Sequence, residues 1–267
     1  MPFHHRLYIC RRVKQVHKII ADVINSFDII SQIQLRIKSV MTLHKIKLAI
    51  YSLFLTNFFG FKLKKVTKPL ENKSLRLEYS EILFKRLNIS VEVKNIEKLP
   101  LNGQYLLLSN HRGIIDPLVI EIALRETNIY GLWISKKELY NSPFFGVFVR
   151  NAGAILLDRE KSQMGSFFSD IKSNVKEGSS IFIFPEGTRN KTDKSLLEFK
   201  DGFRIIALKN RLPILPVYIK TRTDEVVANL LRDKNINQTI TIEIGDIISY
   251  KQKGNLEEIY KKQFGIK

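Results

Sequence analysis

From residue 104 onward, short apolar runs alternate with stretches of helical periodicity, and this alternation limits the possible folds more than any other feature of the sequence. The runs are 104–109 (QYLLLS), 130–135 (YGLWIS), 154–157 (AILL), 180–184 (SIFIF), 214–219 (ILPVYI) and 239–244 (TITIEI). Helical patterns fit between them at about 117–125, 161–177 and 201–210, and 254–263 reads as a terminal helix. Strands separated by helices imply an α/β domain with a mixed, largely parallel sheet flanked by helices. Pro213 and Pro216 flank Ile214-Leu215, which predicts a shaped edge or a strand entry there rather than a central pairing position.

Ahead of this domain the character changes. A charged helix is expected over 75–87, with Pro69 and the following Glu71-Asn72-Lys73 marking a boundary. Before it, Leu48 to Phe61 is almost wholly apolar, with Lys45, Lys47, Lys62, Lys64 and Lys65 around it. As a helix, those 14 residues span about 21 Å, short of a hydrocarbon core of about 30 Å. No run of ~18 apolar residues occurs, so no transmembrane helix is expected. The N-terminus, MPFHHRLYICRRVKQ, lacks the apolar stretch and cleavage site of a signal peptide. The segment is therefore expected to lie in a membrane interface, its lysines reaching lipid phosphates. Residues 1–40 are basic, with Val13, Val16, Ile19, Ile20, Val23, Ile24 and Phe27 at helical spacing, while Met41 is a second candidate start. The expected organisation is a basic amphipathic extension of open status over 1–40, a membrane-associating helical segment over 41–68, and an α/β domain over 69–267.

Lys and Arg number 44 against 26 Asp and Glu, a formal charge of +18. Such a chain is drawn to a polyanion: nucleic acid, an anionic membrane face or a phosphorylated substrate. The lysines are spread along the chain and no RNP-type aromatic block or C₂H₂ spacing occurs, so nucleic acid is not the expected partner. The single cysteine, Cys10, excludes an internal disulfide framework and a Cys-rich zinc site. Neither a metal nor a cofactor is expected. No Gly-x-Ser-x-Gly elbow, Walker A loop, His-Glu-x-x-His or Gly-x-Gly-x-x-Gly is present, which removes support for serine hydrolases, nucleotide hydrolases, zincins and dinucleotide enzymes.

Four stretches carry chemistry. In LLLSNHRGIIDPL, His111 follows an apolar run and Asp116 stands five residues on. A neutral imidazole takes a proton from an alcohol, and a carboxylate fixes its tautomer and stabilises the imidazolium. His17 and Asp22 share this spacing but lie in the amphipathic extension, so context decides between the pairs. Asp116 before Pro117 also fits a helix N-cap with proline at the first helical position, and both readings stand on the sequence. In SIFIFPEGTRN, Pro185 stops a strand, Glu186-Gly187-Thr188-Arg189 turn, Gly187 permits close backbone approach, Thr188 offers a hydroxyl and Arg189 a planar fork suited to phosphate. In NAGAILLDR, small residues precede a short strand that ends near Arg159, and RLPILPVYI is the proline-flanked strand. Lys136 and Lys137 stand near another strand end.

In this order the four stretches resemble the blocks of the glycerolipid acyltransferase family exemplified by 1-acylglycerol-3-phosphate O-acyltransferases: Asn110-His111 with Asp116 (an HX4D motif), Gly153 through Arg159, Phe184 through Arg189, and Leu212 through Val217. The resemblance covers about 85–220. It implies transfer of an acyl group from acyl-carrier protein or acyl-CoA to the 2-hydroxyl of lysophosphatidic acid, with phosphatidic acid as product and the cytoplasmic face of the inner membrane as location. It also implies roles. His111 is the general base, Asp116 its orienting carboxylate, and Arg159, Glu186, Gly187, Thr188 and Arg189 line the acceptor site, with Lys136 or Lys137 at its phosphate. Gly113, Leu156 and Asn190 depart from common family residues, which leaves the reaction class intact and the acceptor open: lysophosphatidic acid or another lysolipid such as a lyso-ornithine lipid. A non-catalytic basic protein that binds membrane or nucleic acid is the remote alternative.

Overall fold

A computed structural model describes residues 43–158, 164–233 and 235–266. The expectations placed on 1–40, including Cys10 and the His17–Asp22 pair, and on Arg159 lie outside the described residues. The chain divides into two compact units, Met1–Ala49 and Ile50–Lys267. The first is described only over 43–49, the opening turns of helix α1 (Leu43–Leu63).

A seven-stranded sheet organises the second unit. Its strands are β1 (Ile89–Lys94), β2 (Leu106–Ser109), β3 (Gly131–Lys136), β4 (Ile155–Leu157), β5 (Ser180–Ile183), β6 (Ile214–Ile219) and β7 (Gln238–Ile244), in the order β1-β7-β6-β2-β5-β3-β4. Only β6 and β7 pair antiparallel; every other pairing is parallel. The helices are α2 (Pro69–Arg86), α3 (Asp116–Ala123), α4 (Lys137–Tyr140), α5 (Gly146–Asn151), α6 (Met164–Lys176), α7 (Gly202–Asn210), α8 (Thr223–Arg232) and α9 (Leu256–Phe264). The expected α/β class, with its mixed and largely parallel sheet, is what the chain forms.

Both faces of the sheet are covered, which is why its strands read as continuous apolar runs. Alternation within a strand sends Leu107, Phe182 and Leu215 to one face, against Val119 and Ile120 of α3 and Val226 and Leu230 of α8. Leu106, Leu108, Ile181 and Ile214 face the other side, against Ile171 of α6, Phe203 and Ile206 of α7, and Tyr260 of α9. The proline reading of β6 needs correction. This strand is interior, with β7 on one side and β2 on the other. Pro216 is tolerated because its side of the strand faces the point where β7 has ended: its carbonyl accepts from Gly245 N, and β6 meets β7 only over Val217–Ile219.

Two elements ran longer or earlier than the sequence suggests. Helix α2 begins at Pro69, ahead of the expected start near residue 75, with the proline in its first turn. Helix α1 has 21 residues, about 31 Å, and its stretch Lys45–Leu63 is long and apolar enough to cross a membrane. Length therefore does not exclude a crossing, as the apolar run alone implied. From Ile50 on, α1 has two faces. Leu55, Thr56, Phe59 and Leu63 are buried, with Leu55 and Phe59 packed on Tyr79 and Leu83 of α2, and Thr56 Oγ1 shares a 2.9 Å hydrogen bond with the Tyr79 hydroxyl. Ile50, Phe54, Phe58 and Phe61 are exposed.

Candidate active site

The carboxyl ends of β2, β5, β3, β4 and β6 share one rim of the sheet, the edge at which open α/β sheets receive ligands. Asn110 and His111 follow β2, Phe184 through Arg189 follow β5, Lys136 ends β3, and Thr223 follows β6 at the start of α8. Asn110 anchors the first of these. Its buried amide donates to Ile219 O at 3.0 Å and accepts from Ile219 N at 2.8 Å, so a side chain continues the β2–β6 ladder after the main chain has turned away.

His111 Nδ1 lies 2.7 Å from Asp116 Oδ2. That oxygen also accepts from Arg112 N at 2.6 Å and Gly113 N at 2.8 Å, and Oδ1 accepts from the Thr223 hydroxyl. Asp116 is 0% exposed, and these donors compensate a buried charge that would otherwise be strongly unfavourable. An ionised carboxylate only accepts, so Nδ1 is the donor in this pair, and in the neutral tautomer that this fixes Nε2 is the nitrogen with the lone pair. Asp116 does not cap α3: the N-cap position is Ile115, and the carboxylate points back over the 111–113 turn. The imidazole is also held by its face. It stacks on Phe184 at 4.0 Å, and Phe184 stacks on Trp133 at 4.8 Å. Trp133 Nε1 donates to Glu121, which pairs with Arg76 in the interior. The His111 side chain is 19% exposed, so the ring is fixed yet reachable.

The turn after β5 divides between inward and outward residues. Gly187 has φ +66°, a left-handed conformation that glycine adopts without strain. Glu186 is 2% exposed; Oε1 accepts from His111 N at 2.7 Å and Oε2 from Leu197 N at 2.9 Å. Burial pushes its carboxyl from 4.5 up to about 7, against the pull of those two N–H donors and of Arg112. Both oxygens are engaged within the protein, so Glu186 braces the His111 turn. Thr188 and Arg189 are exposed, and no described residue pairs with Arg189. Asn190 is buried and donates its N–H to His111 O at 2.7 Å.

Lys136 is exposed, and Lys137 pairs with Asp158 at 2.7 Å. The fold thus brings His111, Asp116 and Glu186 into one hydrogen-bonded cluster, with Gly187, Thr188 and Arg189 on the adjoining turn. Three contributors had no signal as site residues. Thr223 stands in Thr-Asp-Glu, which reads only as a helix start; Asn190 reads as a polar turn; Trp133 reads as core.

The chain matches the sequence model of the family described as Acyltransferase over residues 90–220. It is 38% identical over 128 residues to the 1-acyl-sn-glycerol-3-phosphate acyltransferase of Helicobacter pylori, an alignment covering 47% of this chain and 53% of that one. Identity to the protein of the same name from Bacillus subtilis is 32% over 126 residues, covering 47% of this chain and 60% of that one. The chain thus spans between about half and three fifths of the length of these relatives. Its fold is similar to the crystal structure of the 1-acyl-sn-glycerophosphate (LPA) acyltransferase, PlsC, from Thermotoga maritima, with a TM-score of 0.58 and 22% identity over 83% of this chain and 89% of that chain.

Proposed function

We propose that the chain, whose residues 90–220 match the acyltransferase family model, is a member of that family and acylates the 2-hydroxyl of lysophosphatidic acid, using an acyl-carrier protein or acyl-CoA thioester and giving phosphatidic acid. The observation that carries this reading is the 2.7 Å bond from His111 Nδ1 to a fully buried Asp116. Nε2 takes the proton of the acceptor hydroxyl as its oxygen attacks the thioester carbonyl carbon, and Asp116 stabilises the imidazolium. Collapse of the tetrahedral intermediate breaks the C–S bond, and the imidazolium returns its proton to the leaving thiolate. The donor is already activated, so positioning and charge stabilisation suffice without a covalent enzyme nucleophile.

Arg189 and Thr188 meet the acceptor phosphate, with Arg159 and Lys136 contributing charge, while Glu186 and Gly187 shape the turn that presents them. Lys137, held by Asp158, contributes to the positive field of the same rim. The exposed Ile50, Phe54, Phe58 and Phe61 of α1 and the charge of +18 support work at an anionic membrane surface, on the cytoplasmic face of the inner membrane. Another lysolipid, such as a lyso-ornithine lipid, uses the same histidine chemistry without the phosphate contact.

The test is a mixed-micelle assay of purified protein with lysophosphatidate and a panel of other lysolipids, each with both donor types. Lysophosphatidate is the expected best acceptor. Folded His111→Ala should lose more than about 10²-fold in turnover. Near-normal turnover by that variant removes the mechanism, and preference for a phosphate-free lysolipid moves the acceptor.

A further inference from the structure

Asp116 presents two oxygens, and the reading above uses only one. Oδ2 faces His111 Nδ1 and two backbone N–H groups. Oδ1 is met by Thr223 Oγ1, from the first turn of α8, 107 residues further along the chain. Both residues are 0% exposed. The hydroxyl is therefore closed off from bulk solvent, and among the described residues its only hydrogen-bond partner is Asp116. A threonine at a helix start ordinarily turns its hydroxyl to a nearby backbone N–H; this one is turned away from its own helix.

Gly113 makes room for it. A Cβ at 113 would stand 2.5 Å from Thr223 Oγ1 and 2.9 Å from Thr223 Cβ. Gly113 has no positive φ that would require glycine. The backbone carbonyl carbon of Thr223 stands 3.0 Å from the same Cβ position, so the absence of a side chain at 113 lets both the hydroxyl and the first turn of α8 come close to Asp116.

We propose that Thr223 is a positioning residue for the His111–Asp116 pair: its hydroxyl fixes the carboxylate plane so that Oδ2 stays aligned with Nδ1. This rests on the reading of His111 as general base. Losing the hydroxyl leaves the Asp116 carboxylate held at Oδ2 alone, by the imidazole and two backbone N–H groups, so its plane can twist and the hold on the imidazole weakens without touching the acceptor.

The experiment measures kcat, acceptor KM and thermal midpoint for Thr223→Val, Thr223→Ser and Thr223→Ala, with His111→Ala alongside. Thr223→Val keeps the volume and loses the hydroxyl, so kcat should fall about 10- to 50-fold with acceptor KM within about twofold. Thr223→Ser keeps the hydroxyl and should stay within about threefold of the wild type, while Thr223→Ala should be slowed like Thr223→Val. Wild-type kcat in folded Thr223→Val beside an inactive His111→Ala overturns the positioning role and leaves the base assignment standing; an active His111→Ala overturns the base assignment itself. If Thr223→Val does not accumulate as folded protein, Thr223→Ala against Thr223→Ser decides, since equal kcat in the two folded variants overturns the proposal.

Discussion

Arg189 stands exposed one residue before Asn190, whose N–H is bonded to the His111 carbonyl, so a charge on that turn is tied mechanically to the histidine. If its guanidinium meets the acceptor phosphate, Arg189→Ala should cost about 1.5–3 kcal/mol of acceptor binding, and Arg189→Lys should recover only part because the planar fork is lost. The loss should appear in acceptor KM, and a neutral monoacylglycerol, lacking the phosphate, should be turned over equally poorly by wild type and variant. An equal fall with both acceptors assigns the side chain to loop structure instead. Asp116→Asn keeps the shape but offers an N–H where the 111–113 turn presents donors; a fall in kcat of about 10³-fold is expected, measured with folded protein. At this scale the sequence was legible where chemistry is local: His111 and Asp116 share one turn. It was illegible where partners are distant. Nothing near Thr223 speaks of Asp116, and nothing in the Glu186-Gly187 turn says that the fold buries the carboxylate beneath the His111 turn.

Among the elements, the short apolar runs were readable because β2, β5 and β6 are covered on both faces and tolerate little polarity. β1 and α8 were not. β1 is an edge strand whose residues alternate between partly buried and exposed after Ile89, and α8 is a polar helix with only Thr223, Val226 and Leu230 buried. The ends of α1 were hidden too, since lysines near an apolar run continue a helix as readily as they end one. The two faces of α1 separate its roles. Phe59→Ala removes a ring packed on Tyr79, 5.7 Å between centroids, and should destabilise the fold by about 3–5 kcal/mol, read from denaturant midpoints. Phe54→Ser with Phe58→Ser should leave that stability within about 0.5 kcal/mol and weaken binding to anionic vesicles in a sedimentation assay. Both ends of α1 should be labelled from the same side of sealed vesicles, as an in-plane helix requires; labelling from opposite sides shows that it crosses.

For the molecule as a whole, Glu186 links the site to stability. Its carboxyl titrates at about 7 in the folded chain against 4.5 ordinarily, so the folded state holds that proton more tightly. The contribution is fully present below about pH 4.5 and is lost as pH rises through about 7. Glu186→Gln cannot ionise, so its stability relative to wild type should improve by on the order of 3 kcal/mol between pH 4.5 and pH 8, measured by urea unfolding. A constant gap across that window denies the raised titration. The clasp of Asn110 onto Ile219 and of Thr223 onto Asp116 spans 109 and 107 residues, and that separation becomes a delay during protein synthesis. The ribosome releases His111 and Asp116 first, but β2 lacks its β6 neighbour, and Asp116 one of its donors, until 107 to 109 further residues have emerged. Contacts so far apart in sequence form late, because the intervening loop must close first. A nascent chain halted short of residue 219 therefore carries the histidine but not the assembled cluster around it.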